Sequence, residues 1–199
     1  MLKLRNNISA LLFIVVLVGG CASSTKLVQT WRDPRFEGPI KFNKTLAIAV
    51  NKDPMTRRVT EDAIVAQIAP GRAAPAYQVL TDADRVNGQV VMEKAKALGF
   101  DGIVSMRLLG NQVRPMQTTQ DDENGFYTFY DGGMVMVGDP GPLQTEKVTS
   151  IETRIYSVAD AMPIWSGVSQ TIDLSTIKEA VGEIAKAVRS ELRKEKLLP

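Results

Sequence analysis

The apolar positions change period along the chain, and each change marks an element. Ala10 to Val18 is an almost unbroken apolar run behind Lys3 and Arg5, followed by Gly19-Gly20. The run is shorter than the ~20 residues a membrane span needs. With its positive start and small residues it has the three parts of a secretory signal. Leu27 to Trp31 has the composition of a strand, closed by the turn signal Asp33-Pro34. Thr45 to Val50 lacks polar alternation, which predicts a strand buried on both faces. Asp53-Pro54 supplies an N-cap and a first-position proline for a helix over 55–69. Val59, Ala63 and Ile64 point inward in that reading, and Gly71 breaks the helix.

Tyr77 to Leu80 reads as a short strand, and Thr81 to Asp84 as the cap of a helix running to Leu98. Val91, Ala95 and Leu98 form its apolar face, and Gly99 is placed for a left-handed C′ residue with Phe100 folding back. A strand follows over 102–113. Residues 146–157 and 162–173 alternate with period two and form a hairpin across Val158 to Ala161. Trp165 falls on the opposite face from Ile164, Val168 and Ile172 and is expected under a helix. Thr176 and Glu179 form a capping box, and Ile177, Val181, Ile184, Val188 and Leu192 make the apolar stripe of a final helix. The Arg193–Lys196 tail is solvated. The order is β-β-α-β-α-β-(insertion)-β-β-α. It predicts one α/β domain over residues 27–199, a mixed sheet covered by about three helices with an antiparallel C-terminal hairpin.

Composition narrows the function more than it names it. The 199 residues contain 24 Lys+Arg and 22 Asp+Glu, and two of the cations, Lys3 and Arg5, lie in the signal segment. The remainder is formally neutral, with no basic run of the kind that tracks nucleic acid. There is no histidine, which excludes Ser-His-Asp and Cys-His catalysis and the usual zinc sites. No acidic pair is placed to suggest a carboxylate hydrolase. No cofactor is implied. Arg57 with Glu61 and Arg58 with Asp62 are each four apart, the spacing of solvated or structural pairs on a helix.

The single cysteine, Cys21, closes Leu17-Val18-Gly19-Gly20-Cys21. This stretch resembles the bacterial lipobox. The resemblance implies cleavage between Gly20 and Cys21 and a thioether to diacylglycerol on Cys21, so residues 1–20 would be a lipoprotein signal peptide. Ala22-Ser23 in place of an aspartate favours the outer membrane, facing the periplasm. Residues 21–26 are then a short tether that keeps the domain at the membrane surface, since five residues reach at most ~18 Å.

Residues 114–142 form a long insertion. Phe126, Tyr127, Phe129 and Tyr130 crowd one side of Asp131-Gly132-Gly133, and Met134 to Val137 is apolar on the other, the pattern of a β-hairpin. It packs on its own domain, extends the sheet, or presents an aromatic and methionine surface to an envelope protein or lipid. Asp121-Asp122-Glu123 lacks the spacing of a calcium loop.

One family resemblance spans most of the chain beyond Cys21. It rests on the order of Trp31-Arg32-Asp33-Pro34, Leu46 to Val50, Arg57 to Asp62, Ala76 to Leu80 and Gly99 to Val104. That order resembles the envelope lipoproteins that carry domain of unknown function 4136. The resemblance implies a periplasm-facing lipoprotein without an assigned activity. Three function classes follow: a non-enzymatic binding module of the envelope, an accessory subunit of a lipid or polymer transport assembly, and a carboxylate-dependent hydrolase.

Overall fold

The computed structural model describes residues 25–115, 127–130, 133–136, 145–172 and 176–198. Cys21, Gly20, the tether before Thr25, Phe126 and the acidic run at 121–123 lie outside these residues. The elements are β1 (Thr25–Arg32), β2 (Thr45–Val50), α1 (Pro54–Val65), β3 (Ala73–Pro75), α2 (Asp82–Arg85), α3 (Gly88–Ala97), β4 (Gly102–Pro115), β5 (Tyr127–Tyr130), β6 (Gly133–Met136), β7 (Thr145–Ser157), β8 (Met162–Ile172) and α4 (Ile177–Lys194). Six strands make one mixed sheet in the order β1-β8-β7-β4-β2-β3, and β5-β6 form a separate antiparallel pair. The expected α/β architecture and its C-terminal hairpin are present, with four helices, one of them a single turn.

β2 is parallel to β3 and β4, and all of it except its two last-turn neighbours Ile48 and Val50 is buried, as an interior parallel strand should be. β4, β7, β8 and β1 are antiparallel in succession. One face, carrying Ala47, Met106, Ile155 and Trp165, packs under α1 and α4 with Ile64, Val181, Ile184 and Leu192. The other face, carrying Leu46 and Ile103, is covered at the β2–β4 side by Ala95, Leu80 and Phe100. Trp165 lies wholly inside, as expected. The neighbours on its face are small or hydroxylic, Gly167, Ser169 and Thr171, because the indole occupies their space: a Cβ on Gly167 would sit 2.4 Å from Trp165 Cη2.

Asp53 caps α1, its carboxylate accepting from Thr56 N at 2.7 Å, and Pro54 takes the first position. The helix ends at Val65, short of residue 69, since Pro70 disfavours helical backbone just before it. The helix expected from Thr81 to Leu98 is two. Thr81 and Asp84 close a capping box on α2, and Asn87 starts α3 afresh by accepting from Gln89 N. Gly99, at φ +75°, ends α3 with Phe100 N donating to Ala95 O and Gly99 N to Lys96 O, the paired bonds of a Schellman cap. α4 ends on the same pair of bonds, Leu197 N to Leu192 O and Lys196 N to Arg193 O, with Lys196 at φ +58°. Leu197 is thereby turned into the core, and its carbonyl accepts from Ile40 N.

Register sets the two ends of the domain. At one end lie the start of β1, the ends of β2, β4 and β8, and the starts of β7, α1 and α4. Here the β4–β7 ladder runs out to Pro115 opposite Thr145, which bounds the insertion at 116–144. At the other end lie the starts of β2 and β4 and the ends of α1 and α4.

Candidate binding cleft

The sequence placed Arg57, Arg58, Glu61 and Asp62 in two pairs along one helix. The structure dissolves both pairs. Glu61 is fully buried, and Val59, expected inward, is 41% exposed. Glu61 accepts four bonds from three separate elements: Ala49 N (3.1 Å) on β2, Tyr77 N (2.7 Å) after β3, and Arg85 Nη1 (2.8 Å) and Nη2 (3.3 Å) on α2. This carboxylate also explains why Tyr77 to Leu80 is no strand. Holding Tyr77 N curls residues 76–78 into a 3-10 turn, and the strand forms earlier, at Ala73–Pro75. Arg57 reaches Asp82, Asp62 accepts from the Tyr77 hydroxyl at 2.9 Å, and Arg58 stacks over the Tyr77 ring at 5.7 Å. Arg57, Arg58, Tyr77, Asp82 and Arg85 line a small polar pocket of about 210 Å³, in which Arg57 and Arg85 are each paired with a carboxylate.

Four other carboxylates have a pKa below the ordinary value. Arg35, donating to Asp33, lowers its pKa. Lys94, with the Thr81 hydroxyl and N–H, lowers that of Asp84 to about 2. Burial pushes Asp101 up, but the Asn43 and Lys44 N–H groups outweigh it and leave the pKa low. Burial likewise pushes Glu152 up, and Arg154 and Arg107 bring it down on the open face of the sheet. Among the described residues no group of three or more acidic, cysteine or histidine side chains is placed to hold a metal ion.

A larger concavity lies elsewhere. A cleft of about 620 Å³ opens between α1, α4 and the sheet, at the end of the domain away from Thr25. Val104, Met106, Thr153 and Ile155 form its floor, and Val181, Ala185, Val188 and Leu192 one wall. Along α4 that wall spans the twelve residues from Val181 to Leu192, about 16 Å at helical rise. Lys41 and Arg72 are exposed and Arg189 half-buried, so their charges sit where the cleft meets solvent. Arg72 donates to Phe42 O and Arg189 to Gln67 O at 2.9 Å. None of the three is paired with a carboxylate among the described residues, and no acidic residue lines the cleft. The floor carries one buried hydroxyl, Thr153 Oγ1, with no hydrogen-bond partner.

A second cavity of about 310 Å³ lies in the same layer, at the Thr25 end, lined by Thr149, Ile151, Thr176 and Ile177 among others. Met106 and Val181 line both cavities and are all that is common to them.

No protein-family model matches the chain, and no curated protein matches its sequence. Solved structures similar to it include the PelC dodecamer of Paraburkholderia phytofirmans. That likeness is at 11% identity with a TM-score of 0.43, covering 87% of this chain and 97% of that one. A point variant of the same dodecamer gives 15% and 0.44, covering 85% and 96%. Lipoprotein GNA1162 of Neisseria meningitidis gives 12% and 0.39, covering 76% and 99%.

The aromatic candidates of the insertion divide. Tyr127, Phe129 and Tyr130 lie on β5, whose backbone pairs with β6 in the register Tyr127 to Met136, Phe129 to Met134 and Tyr130 to Gly133. The hairpin therefore forms, as a ribbon of its own outside the six-stranded sheet. The cleft was not foreseen. Its only sequence signal is Ala185, a small residue that leaves a notch in the apolar stripe of α4.

Proposed function

We propose that the chain is a lipid-anchored, non-catalytic binding module of the bacterial envelope, and that the cleft under α4 is where it holds the apolar part of a ligand. The cleft carries the reading. Its volume falls within the range of small-molecule sites, and it joins an apolar floor to a few convergent polar groups. An acid-base hydrolase needs a carboxyl group whose pKa is raised toward its working pH. The described acids whose pKa departs from the ordinary value are instead held low by their donors, which supports a role without catalysis.

The anchor belongs to the same proposal. Thr25, already in β1, is four residues past Cys21, a reach of about 14 Å. Apolar side chains exposed around that end of the domain, Val28, Val50, Met55, Leu109, Val113 and Ile177, suit a surface seated close to a bilayer. Among the described residues no helix is long and apolar enough to cross a membrane. The lipobox resemblance and the order of motifs resembling domain of unknown function 4136 support an envelope lipoprotein, at the outer membrane from Ala22-Ser23.

The test has two parts. Cys21→Ser should abolish metabolic labelling with palmitate and release the protein from membranes; persistent labelling refutes the anchor. A solvatochromic apolar dye should bind the wild type and be excluded by Ala185→Phe, which fills the notch; equal binding to both refutes the cleft as the site.

A further inference from the structure

Resting on that reading of the cleft, we propose that its ligand is a single-chain anionic amphiphile, a fatty acid or lysophospholipid. The chain lies along α4 toward Met106, and the head group is held at Lys41, Arg72 and Arg189. Size limits the ligand first. At roughly 30 Å³ for each small group in a condensed phase, the cleft of about 620 Å³ has room for about twenty heavy atoms. That is one acyl chain with a compact head, and not two chains.

Shape agrees with size. The wall from Val181 to Leu192 runs straight along one helix for about 16 Å, and Val104, Met106 and Ile155 face it from the sheet. Such a slot suits an extended chain better than a fused ring system. Met106, unbranched and flexible, stands at the inner end between this cleft and the smaller cavity, where it can shift to admit a longer tail.

Charge then fixes the head group. Three cations line the cleft without a carboxylate partner among the described residues, and the bonds of the two arginines go to neutral acceptors, Phe42 O and the Gln67 carbonyl and side-chain oxygens. Arginine guanidinium groups retain further donors that match carboxylate or phosphate oxygens. A neutral or cationic head would leave this charge uncompensated.

The experiment uses membranes containing the native protein and a photoactivatable fatty acid, with the crosslinked peptides mapped by mass spectrometry. Label is expected on the α4 peptide spanning Val181–Leu192 and on the β4 peptide containing Met106. Unlabelled fatty acids should compete about fourfold more strongly for each added methylene, up to a length at which the gain stops. Lysophosphatidate tests the phosphate head and the corresponding fatty alcohol the neutral one. Lys41→Gln combined with Arg72→Gln, both on exposed side chains, should weaken the anionic competitors at least tenfold and leave the alcohol unchanged. Carboxylate and phosphate competitors of equal chain length identify which source is preferred, and success of either supports the proposal. Equal competition by alcohol and acid, label outside the cleft, or crosslinking of the acyl chains on Cys21 itself into the cleft overturns it. If the apolar dye binds the wild type and not Ala185→Phe, yet no amphiphile displaces it, the cleft stands as a site and this ligand class falls. If the dye does not bind at all, both fall.

Discussion

Replacing Arg85 with leucine tests the central tie of the fold. Glu61 lies at zero exposure, and the Arg85 side chain is 13% exposed. The variant would leave a buried carboxylate with two backbone donors, Ala49 N and Tyr77 N, in place of four bonds. Removing one partner of a buried ion pair costs about 3–5 kcal/mol, mostly because the other charge stays desolvated. In a protein of this size 1 kcal/mol moves Tm by about 2–4 °C, so Arg85→Leu should lower Tm by roughly 10 °C. The double variant Glu61→Leu with Arg85→Leu removes both charges, and part of the loss should return. The coupling between the two sites should therefore exceed about 1 kcal/mol in a double-mutant cycle. Thermal and urea unfolding followed by circular dichroism measure both quantities. If Arg85→Leu shifts Tm by only a degree or two, or if the two substitutions simply add, Glu61 does not hold α1, β2 and α2 together in the way described.

Three further substitutions probe other links. Gly167→Ala puts a Cβ 2.4 Å from the Trp165 ring and should cost about 1–3 kcal/mol by overpacking, read from the urea midpoint; a neutral result would mean the indole is free to move. Lys196→Gly relieves a left-handed residue at φ +58° and should stabilise by about 1 kcal/mol, seen as a rise in Tm. For pH, Asp84 has a folded-state pKa of about 2 against an ordinary 3.8. Its contribution is therefore fully present above about pH 4 and lost as pH falls toward 2. Lys94→Met removes the main cause of that depression, so the variant's acid unfolding curve should be flatter than the wild type's between pH 4 and 2; superimposable curves would contradict the assignment.

Where local chemistry decides the structure, the sequence was readable. Asp53-Pro54, Gly99-Phe100 and the alternation in residues 145–172 place their elements within a few residues, because caps, turns and pleats depend on near neighbours. The departures around Glu61 share one cause. Apolar periodicity put Val59 inside and treated Glu61 as surface, but a charge can take a core position when its partner comes from 24 residues away. A second bond to the same carboxylate, from Tyr77 N, overrode the β propensity of Tyr77 to Leu80. The cleft was unreadable for a related reason. Its floor, wall and cations come from β4, β7, α4 and two connecting loops, and no single stretch carries a motif for it.

The two ends of the sheet give the molecule a direction. β1 begins at one end, and the 116–144 insertion leaves from the same end, at the tips of β4 and β7. The cleft opens at the other, roughly 27 Å along α4. With the Cys21 anchor proposed above, the receptacle would be turned from the bilayer. Cargo held there would have left the membrane altogether and would next meet water or another protein.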